Sequence, residues 1–116
     1  MKNNVNEINY KGKTYKLVFN LNVMEKIQDE YGTVDKWGEL TDGAKGEPNA
    51  KAIIYGLTEM INEGIDIDNE ENNTEDKPLT TKQVGRLLTE VGLANATKKL
   101  NDTVIESTKT DEIKNV

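Results

Sequence analysis

The stretch that decides the fold of this chain lies at residues 8–19 and reads INYKGKTYKLVF. Apolar side chains alternate there with mostly polar ones on both sides of a Lys-Gly pair, which is the pattern of two strands joined by a tight turn. A two-residue turn at this pair sets Tyr10 opposite Lys13 and Ile8 opposite Tyr15. The sequence therefore predicts a β-hairpin with one apolar face. That face consists of Ile8, Tyr10, Tyr15, Leu17 and Phe19.

The chain beyond the hairpin has the apolar spacing and the end signals of helices. Two strands alone are marginally stable in water, so the apolar face of the hairpin must find a packing partner, and these helices are the nearest candidates. The first helix is predicted over residues 23–31, and a short helix starts at Thr33 and breaks near Gly38. Two residue pairs have the spacing of a capping box, namely Asn22 with Glu25 and Thr80 with Gln83.

Three further helices are predicted in the rest of the chain. The longest apolar pattern, with residues three and four apart, starts near Pro48 and stops at Gly64. The next helix follows the second capping box and stops at Gly92, where glycine is a common C-terminal residue. The last helix starts at Leu93, and its pattern fades past Ser107.

These elements predict the domain organisation. We expect an α+β, mainly α, fold in which an N-terminal β-hairpin is followed by about four helices packed in one small domain. This domain covers residues 1–107, with the hairpin at 8–19 and an acidic loop at 66–78. Residues 108–116 are predicted to form a polar, flexible tail.

The acidic segment is the main charge feature of a chain with a net charge of −6. Its carboxylates could ligate calcium through oxygen, but an EF-hand loop needs Gly at its sixth position and Glu at its twelfth. Neither possible first residue, Asp66 or Asp68, is followed by that spacing. We therefore interpret the segment as a solvated loop and predict no metal site and no cofactor.

Composition argues against most enzyme classes. The chain has no Cys and no His, which are the commonest sources of nucleophiles, general bases and zinc ligands. We predict no catalytic residues and no enzymatic activity. The acidic balance offers no electrostatic footprint for nucleic acid or anionic lipid, and we see no signal for secretion or membrane insertion. Proteins are the expected partners.

Three residues are candidates for partner binding, namely Tyr31, Trp37 and Leu40. For Trp37, the only tryptophan, core packing is the favoured interpretation and an interface anchor is the alternative. Gly56 and Gly85 fall inside predicted helices, where glycine costs about 1 kcal/mol relative to alanine. Close helix packing is the favoured explanation of both, ahead of the approach of a ligand.

Taken in order, the sequence resembles the tail assembly chaperones encoded by long-tailed (siphovirus-type) phages and prophages of Gram-positive bacteria. The resemblance covers roughly residues 8–106. It is carried by YKGKTYKL at 10–17, FNLN at 19–22, EYG at 30–32, VDKW at 34–37, IIYGL at 53–57, NEENN at 69–73 and LTTKQVGRLL at 79–88.

The resemblance implies a mostly helical, non-enzymatic protein that acts in the host bacterial cytoplasm and is absent from the mature virion. Such a protein holds the long tape measure protein, keeps it soluble and helps to recruit the tail tube protein. We further predict a homo-oligomer, since an elongated client would gain from avidity. Three alternatives remain open: a structural tail or connector component retained in the particle, an acidic inhibitor or DNA mimic, and an enzyme that uses Asp, Glu, Lys or Tyr.

Overall fold

The computed structural model describes residues 6–43 and 46–114, with side chains up to residue 108. Within these residues a two-stranded antiparallel hairpin is followed by five helices. This arrangement confirms the predicted α+β, mainly α, fold. The elements are β1 Glu7–Tyr10, β2 Lys13–Lys16, α1 Leu21–Tyr31, α2 Val34–Thr41, α3 Ala50–Asn72, α4 Thr81–Val91 and α5 Leu93–Lys114.

The hairpin has the predicted register, in which Ile8 pairs with Tyr15 and Tyr10 pairs with Lys13. Lys11 and Gly12 have φ angles of 52° and 76°. Two positive φ angles belong to a type I′ turn, whose twist matches that of the strands. The apolar face is covered to different degrees. Ile8, Leu17 and Phe19 are buried, and Tyr10 and Tyr15 are half-buried.

Helix α3 packs against β2 and all the other helices. The Val18 N–H donates to the Met60 carbonyl at 3.3 Å. A Cβ on Gly64 would stand 2.9 Å from the Lys16 carbonyl oxygen, so glycine is what allows the hairpin to lie directly on the helix. The prediction that Gly64 ends this helix is therefore wrong, because this glycine serves close packing in the middle of α3.

The interpretation of residues 66–78 as a loop is wrong for their first half, which is helical. Ile65 is buried, and the Asp68 carboxylate accepts a hydrogen bond from Lys16 Nζ at 3.0 Å. Burial and this ion pair support the helix where composition alone indicated a break. Helix α3 ends only before Asn73, whose φ of 58° is left-handed.

Two asparagines of α3 hold the non-helical connector to α4. Asn62 Nδ2 donates to the Leu79 carbonyl at 2.9 Å, and its Oδ1 accepts from the Leu79 N–H at 2.8 Å. Asn69, two turns further along, makes the same pair of bonds to Asp76, each at 3.0 Å. Seven residues of helix and three of extended chain both span about 10 Å. The spacing of the asparagines therefore matches that of the backbone groups they bind.

The start of α1 differs from the prediction. Asn20 is the N-cap, and its Oδ1 accepts from the Val23 N–H at 3.2 Å. The predicted capping box of Asn22 and Glu25 is wrong, because the helix starts after Asn20 and Asn22 lies in its first turn. There Asn22 Nδ2 donates to Glu63 Oε2 at 3.1 Å.

The caps of α2 and α4 follow the sequence signals more closely. Thr33 caps α2 as predicted, although the helix continues through Gly38 to its end at Thr41. The capping box of Thr80 and Gln83 is confirmed, with both reciprocal hydrogen bonds present. The stop of α4 at Gly92 is also confirmed, with a φ of 102°.

Helix α5 extends further than its apolar pattern indicated. Ser107, where we expected the pattern to fade, donates from Oγ to the Phe19 carbonyl at 3.1 Å. This bond ties α5 to the end of the hairpin, and the backbone stays helical to Lys114. The predicted tail over residues 108–116 therefore has a helical backbone as far as Lys114. Its flexibility stays a prediction, and residues 115–116 lie outside the described residues.

The core gathers apolar side chains from the hairpin and every helix around α3. None of the helices in the described part of the chain is long and apolar enough to cross a membrane. The largest fully buried side chains are Trp37, Ile8, Ile27, Ile53, Leu57, Met60, Ile61, Leu87, Leu100, Val23, Val84 and Thr41.

Candidate protein-binding grooves

Trp37 fixes the position of α2 on α3. Its side chain is only 1% exposed, and Nε1 donates to the Ala52 carbonyl at 3.0 Å. A Cβ on Gly56 would overlap the indole ring. Core packing of Trp37 and close packing at Gly56 are therefore confirmed, and the interface-anchor alternative for Trp37 is wrong because its surface is already covered by this chain.

A cleft of about 500 Å³ separates α2 from α5. Its wall on α5 includes Val104 and Ile105, and Ile105 leaves 53% of its surface exposed. Gly38 lies on the α2 side, where a Cβ would meet no heavy atom within 4 Å among the described residues outside its own helix. The full lining consists of Val34, Asp35, Trp37, Gly38, Glu39, Asp42, Asn101, Val104 and Ile105.

The lining of this α2–α5 cleft combines an apolar floor with acidic edges. Asp35, Glu39 and Asp42 recur at positions i, i+4 and i+7, so they form one ridge along α2. No Lys or Arg occurs among the described residues that line the cleft. The cleft thus presents an apolar strip beside a row of carboxylates.

A second groove lies between α3 and α4. It consists of two cavities of about 330 and 490 Å³ that share Ile54. Gly85 lines the first, where a Cβ would stand 3.7 Å from Ile54 Cδ1, an ordinary contact distance. The close-packing explanation of Gly85 is therefore wrong, since alanine would fit. Lys51 and Lys82 line the second cavity, so this α3–α4 groove has basic edges.

The other two predicted partner-binding residues lie outside the lining of both grooves. Leu40 is 37% exposed on α2. Tyr31 packs edge-on against Tyr55 with a centroid distance of 5.7 Å, and its hydroxyl is buried without a hydrogen-bond partner among the described residues. Burial, reinforced by the nearby Glu30 carboxylate, raises the pKa of Tyr31. Of the three residues, Trp37 alone lines one of these two grooves.

Glycines inside helices are the sequence signal that points either to close packing or to an open groove. A glycine in a helix interior costs about 0.5–1 kcal/mol, so each one calls for a compensating reason. The described contacts of Gly56 and Gly64 supply that reason, whereas Gly38 and Gly85 line grooves that remain open. Sequence alone could not separate the two pairs, because the difference depends on which element faces each glycine.

The titratable side chains form few arrangements that could bind a metal ion or shift a pKa. Among residues 6–43 and 46–108, whose side chains the structure describes, no group of three or more Asp or Glu side chains is arranged to hold a metal ion. The hydrogen bond that Lys16 donates to Asp68 raises the pKa of Lys16, with the charge of the same carboxylate as the next cause. Burial raises the pKa of Tyr55, whose hydroxyl donates to the Lys26 carbonyl at 2.9 Å.

Comparison with known proteins leaves the family of the chain open. The chain matches no family model, no curated protein and no solved structure.

Proposed function

We propose that this chain is a phage tail assembly chaperone that binds the tape measure protein and assists assembly of the tail tube without being an enzyme. The proposal rests on the order of motifs over residues 8–106 and on the presence of open apolar grooves. It includes action in the host bacterial cytoplasm, release before the virion is complete and the tail tube protein as a second partner.

The observation that carries the proposal is the open α2–α5 cleft with Gly38 on its floor. Gly38 lowers the stability of α2, yet no described neighbour outside its own helix occupies the space where its Cβ would stand. The same cleft leaves the large apolar side chain of Ile105 half in solvent. A groove kept open at a cost in stability is a feature of surfaces that receive another chain.

An elongated helical client suits these dimensions. Helix α2 has eight residues, which correspond to about 12 Å of wall at about 1.5 Å per residue. That length faces about two turns of a client helix. Each contact would be weak, so several copies of this chain along one client would hold it through avidity.

Co-expression with the tape measure protein of the same genome tests this function. We expect the client to become soluble and to co-purify with this chain. Gly38→Leu, which fills the α2–α5 cleft, should reduce recovery of the complex, whereas Gln28→Leu adds the same side chain to an exposed position on α1 and serves as the control. A client that stays insoluble beside a folded chaperone would reject the proposal.

Mass spectrometry of purified virions separates the proposal from the structural alternative. A chaperone is absent from the finished particle. A retained tail or connector component would be present at a fixed ratio to the other tail proteins, and that result would replace the chaperone assignment.

A further inference from the structure

We infer that the α3–α4 groove binds a helical segment of another protein in which apolar anchor residues are flanked by Asp or Glu. This surface is distinct from the α2–α5 cleft, so the inference goes beyond the proposed function and does not depend on it. Three features carry it: an apolar floor that the described residues leave open, a basic rim, and two helix N-termini at that rim.

The floor consists of apolar side chains from both helices and from the start of α5. Ile54 lines both cavities of the groove. Gly85 contributes no side chain to the α4 wall, and Leu93 at one end is 44% exposed. Two adjoining cavities suit two anchor side chains about one turn apart, which a helix presents at positions i and i+3 or i+4.

The backbone of the walls favours a helical occupant. Both walls are α-helices, whose N–H and C=O groups are bonded within each helix except at the ends. An extended segment in the groove would find few main-chain partners, and its own buried polar groups would stay unpaired. A helical segment satisfies its own backbone and presents only side chains to the groove.

The rim of the groove is basic. Lys51 of α3 and Lys82 of α4 are exposed and line the larger cavity. Neither forms an ion pair with a described carboxylate. Arg86 is exposed one turn after Lys82 on α4. Carboxylates beside the apolar anchors of an incoming segment would complement these charges.

The two lysines also occupy unusual positions at the starts of their helices. Lys51 is the second residue of α3 and Lys82 is the second residue of α4, and neither helix has an acidic residue in its first turn. A helix N-terminus carries partial positive charge, which favours acidic side chains there. Lysine at both positions therefore lowers helix stability and adds to the positive potential at the groove.

Carboxylates confine the positive charge to the start of α4. Burial and then the charges of Glu59, Glu30 and Asp29 raise the pKa of Tyr55, whose hydroxyl points to a carbonyl of α1. These acidic groups therefore surround the α1 side of the ring. Glu90 lies near the C-terminal end of α4. We expect the carboxylates of the occupant to lie along the first turns of α4.

Segments without described side chains do not contradict this charge. Residues 1–5 and 44–45 contain no Asp or Glu. Asp111 and Glu112 follow Ser107 on α5, and Ser107 is bonded to the Phe19 carbonyl at the end of the hairpin. The described contact of this part of α5 is thus to the hairpin and not to the start of α4.

Two synthetic peptides test the inference on the full chain. Both have about 18 residues, or five turns at about 3.6 residues per turn, and the same Leu ridge. One carries Glu beside the ridge, and the other carries Gln at the same positions. Fluorescence anisotropy of the labelled peptides measures binding at about 0.15 M salt, where a Debye length of about 8 Å limits repulsion from distant carboxylates. We expect the Glu peptide to bind about three- to tenfold more tightly than the Gln peptide.

Substitutions then locate the bound peptide. Lys82→Glu should weaken the Glu peptide about three- to tenfold and the Gln peptide by less than about twofold. Lys36→Glu makes the same charge change at an exposed position on α2 and should leave both peptides within about twofold. Gly85→Leu should remove binding of both peptides by filling the groove. Gln28→Leu adds the same side chain on α1 and should leave binding unchanged.

Thermal stability separates a binding role of Lys82 from a packing role. Glutamate at the second position of α4 interacts favourably with the helix N-terminus. Lys82→Glu should therefore raise the melting temperature, followed by circular dichroism, while it weakens the Glu peptide. A variant that melts earlier and also binds more weakly would show that Lys82 supports packing, and that result would overturn its role in binding.

Four further results would overturn the inference. The first is equal binding of the Glu and Gln peptides, and the second is binding that survives both Lys82→Glu and Gly85→Leu. The third is displacement of the Glu peptide by an oligonucleotide, which would mean that anionic charge alone fills the groove. The fourth is an oligomer of the chain that dissociates on Lys82→Glu in sedimentation experiments, which would identify a second copy as the occupant. The proposed function is tested separately, since its substitution is at Gly38 and its readout is co-purification of the tape measure protein.

Discussion

Substitution of the helix-interior glycines by alanine provides the sharpest test of the packing described above. Alanine removes the entropic cost of glycine in a helix, which is about 0.5–1 kcal/mol. At Gly38 the added Cβ meets no described heavy atom within 4 Å outside its own helix, and at Gly85 it meets Ile54 Cδ1 at 3.7 Å. We therefore expect Gly38→Ala and Gly85→Ala to stabilise the protein by about 0.5–1 kcal/mol each.

The same change should have the opposite sign at the two glycines that are enclosed. At Gly64 the Cβ would lie 2.9 Å from the Lys16 carbonyl oxygen, and at Gly56 it would overlap the buried Trp37 ring. Neither neighbour is the free end of a flexible side chain, so α3 must move away from β2 at Gly64 and from α2 at Gly56. Overpacking of this kind costs about 1–3 kcal/mol, which exceeds the gain in helix propensity.

Urea unfolding followed by circular dichroism measures all four variants on one scale. For a chain of 116 residues, about 1 kcal/mol corresponds to a change in Tm of roughly 4 °C, so thermal melts give an independent check. The reasoning is refuted if Gly38→Ala destabilises the protein as much as Gly56→Ala does. That result would mean that the α2–α5 cleft is closed in solution and that Gly38 has a packing role.

Three further predictions follow from individual contacts. Trp37→Ala should lower the free energy of unfolding by about 3–5 kcal/mol, a loss that urea titration would detect, and a much smaller loss would contradict its place in the core. Asn62→Ala should cost about 1–3 kcal/mol because it leaves two partly buried backbone groups without partners; hydrogen exchange at the Leu79 amide should accelerate, with Asn69→Ala as the comparison. The stability supplied by the Lys16–Asp68 pair should be constant from neutral pH to just below the ordinary lysine pKa of 10.5 and fall as pH rises through the raised folded pKa; urea midpoints across that window should show a smaller fall for Lys16→Met, and identical curves would contradict the pairing.

The hairpin and the caps of α4 were predictable because their causes lie within a few residues. The turn at Lys11 and Gly12 determines which residues pair, and the alternation determines which face is apolar. Thr80 and Gln83 complete a capping box without help from the rest of the chain. Local geometry suffices at these positions because no distant group competes for the same donors and acceptors.

The wrong predictions of helix starts and ends share one physical origin, which is contact with residues that are distant in sequence. Asn22 has the spacing of an N-cap, but Asn20 caps α1 two residues earlier, and the Nδ2 groups of both asparagines donate to Glu63 of α3. Gly64 has the form of a helix stop, yet the Lys16 carbonyl lies where a side chain would be. Asp68 has the composition of a loop residue, and Lys16 holds it on a helix.

The sequence by itself determined the fold class, the register of the hairpin and most of the helices, because alternation, helical periodicity and end signals act locally. Only the tertiary structure decided where the grooves lie. The sequence patterns predict a break at Gly38, a helix stop at Gly64 and helix-interior positions for Gly56 and Gly85, whereas all four lie inside helices. They differ in what faces them, and that depends on how α3 packs against its neighbours. The α2–α5 cleft exists because Trp37 anchors one wall to α3 while Gly38 leaves the space beside it open.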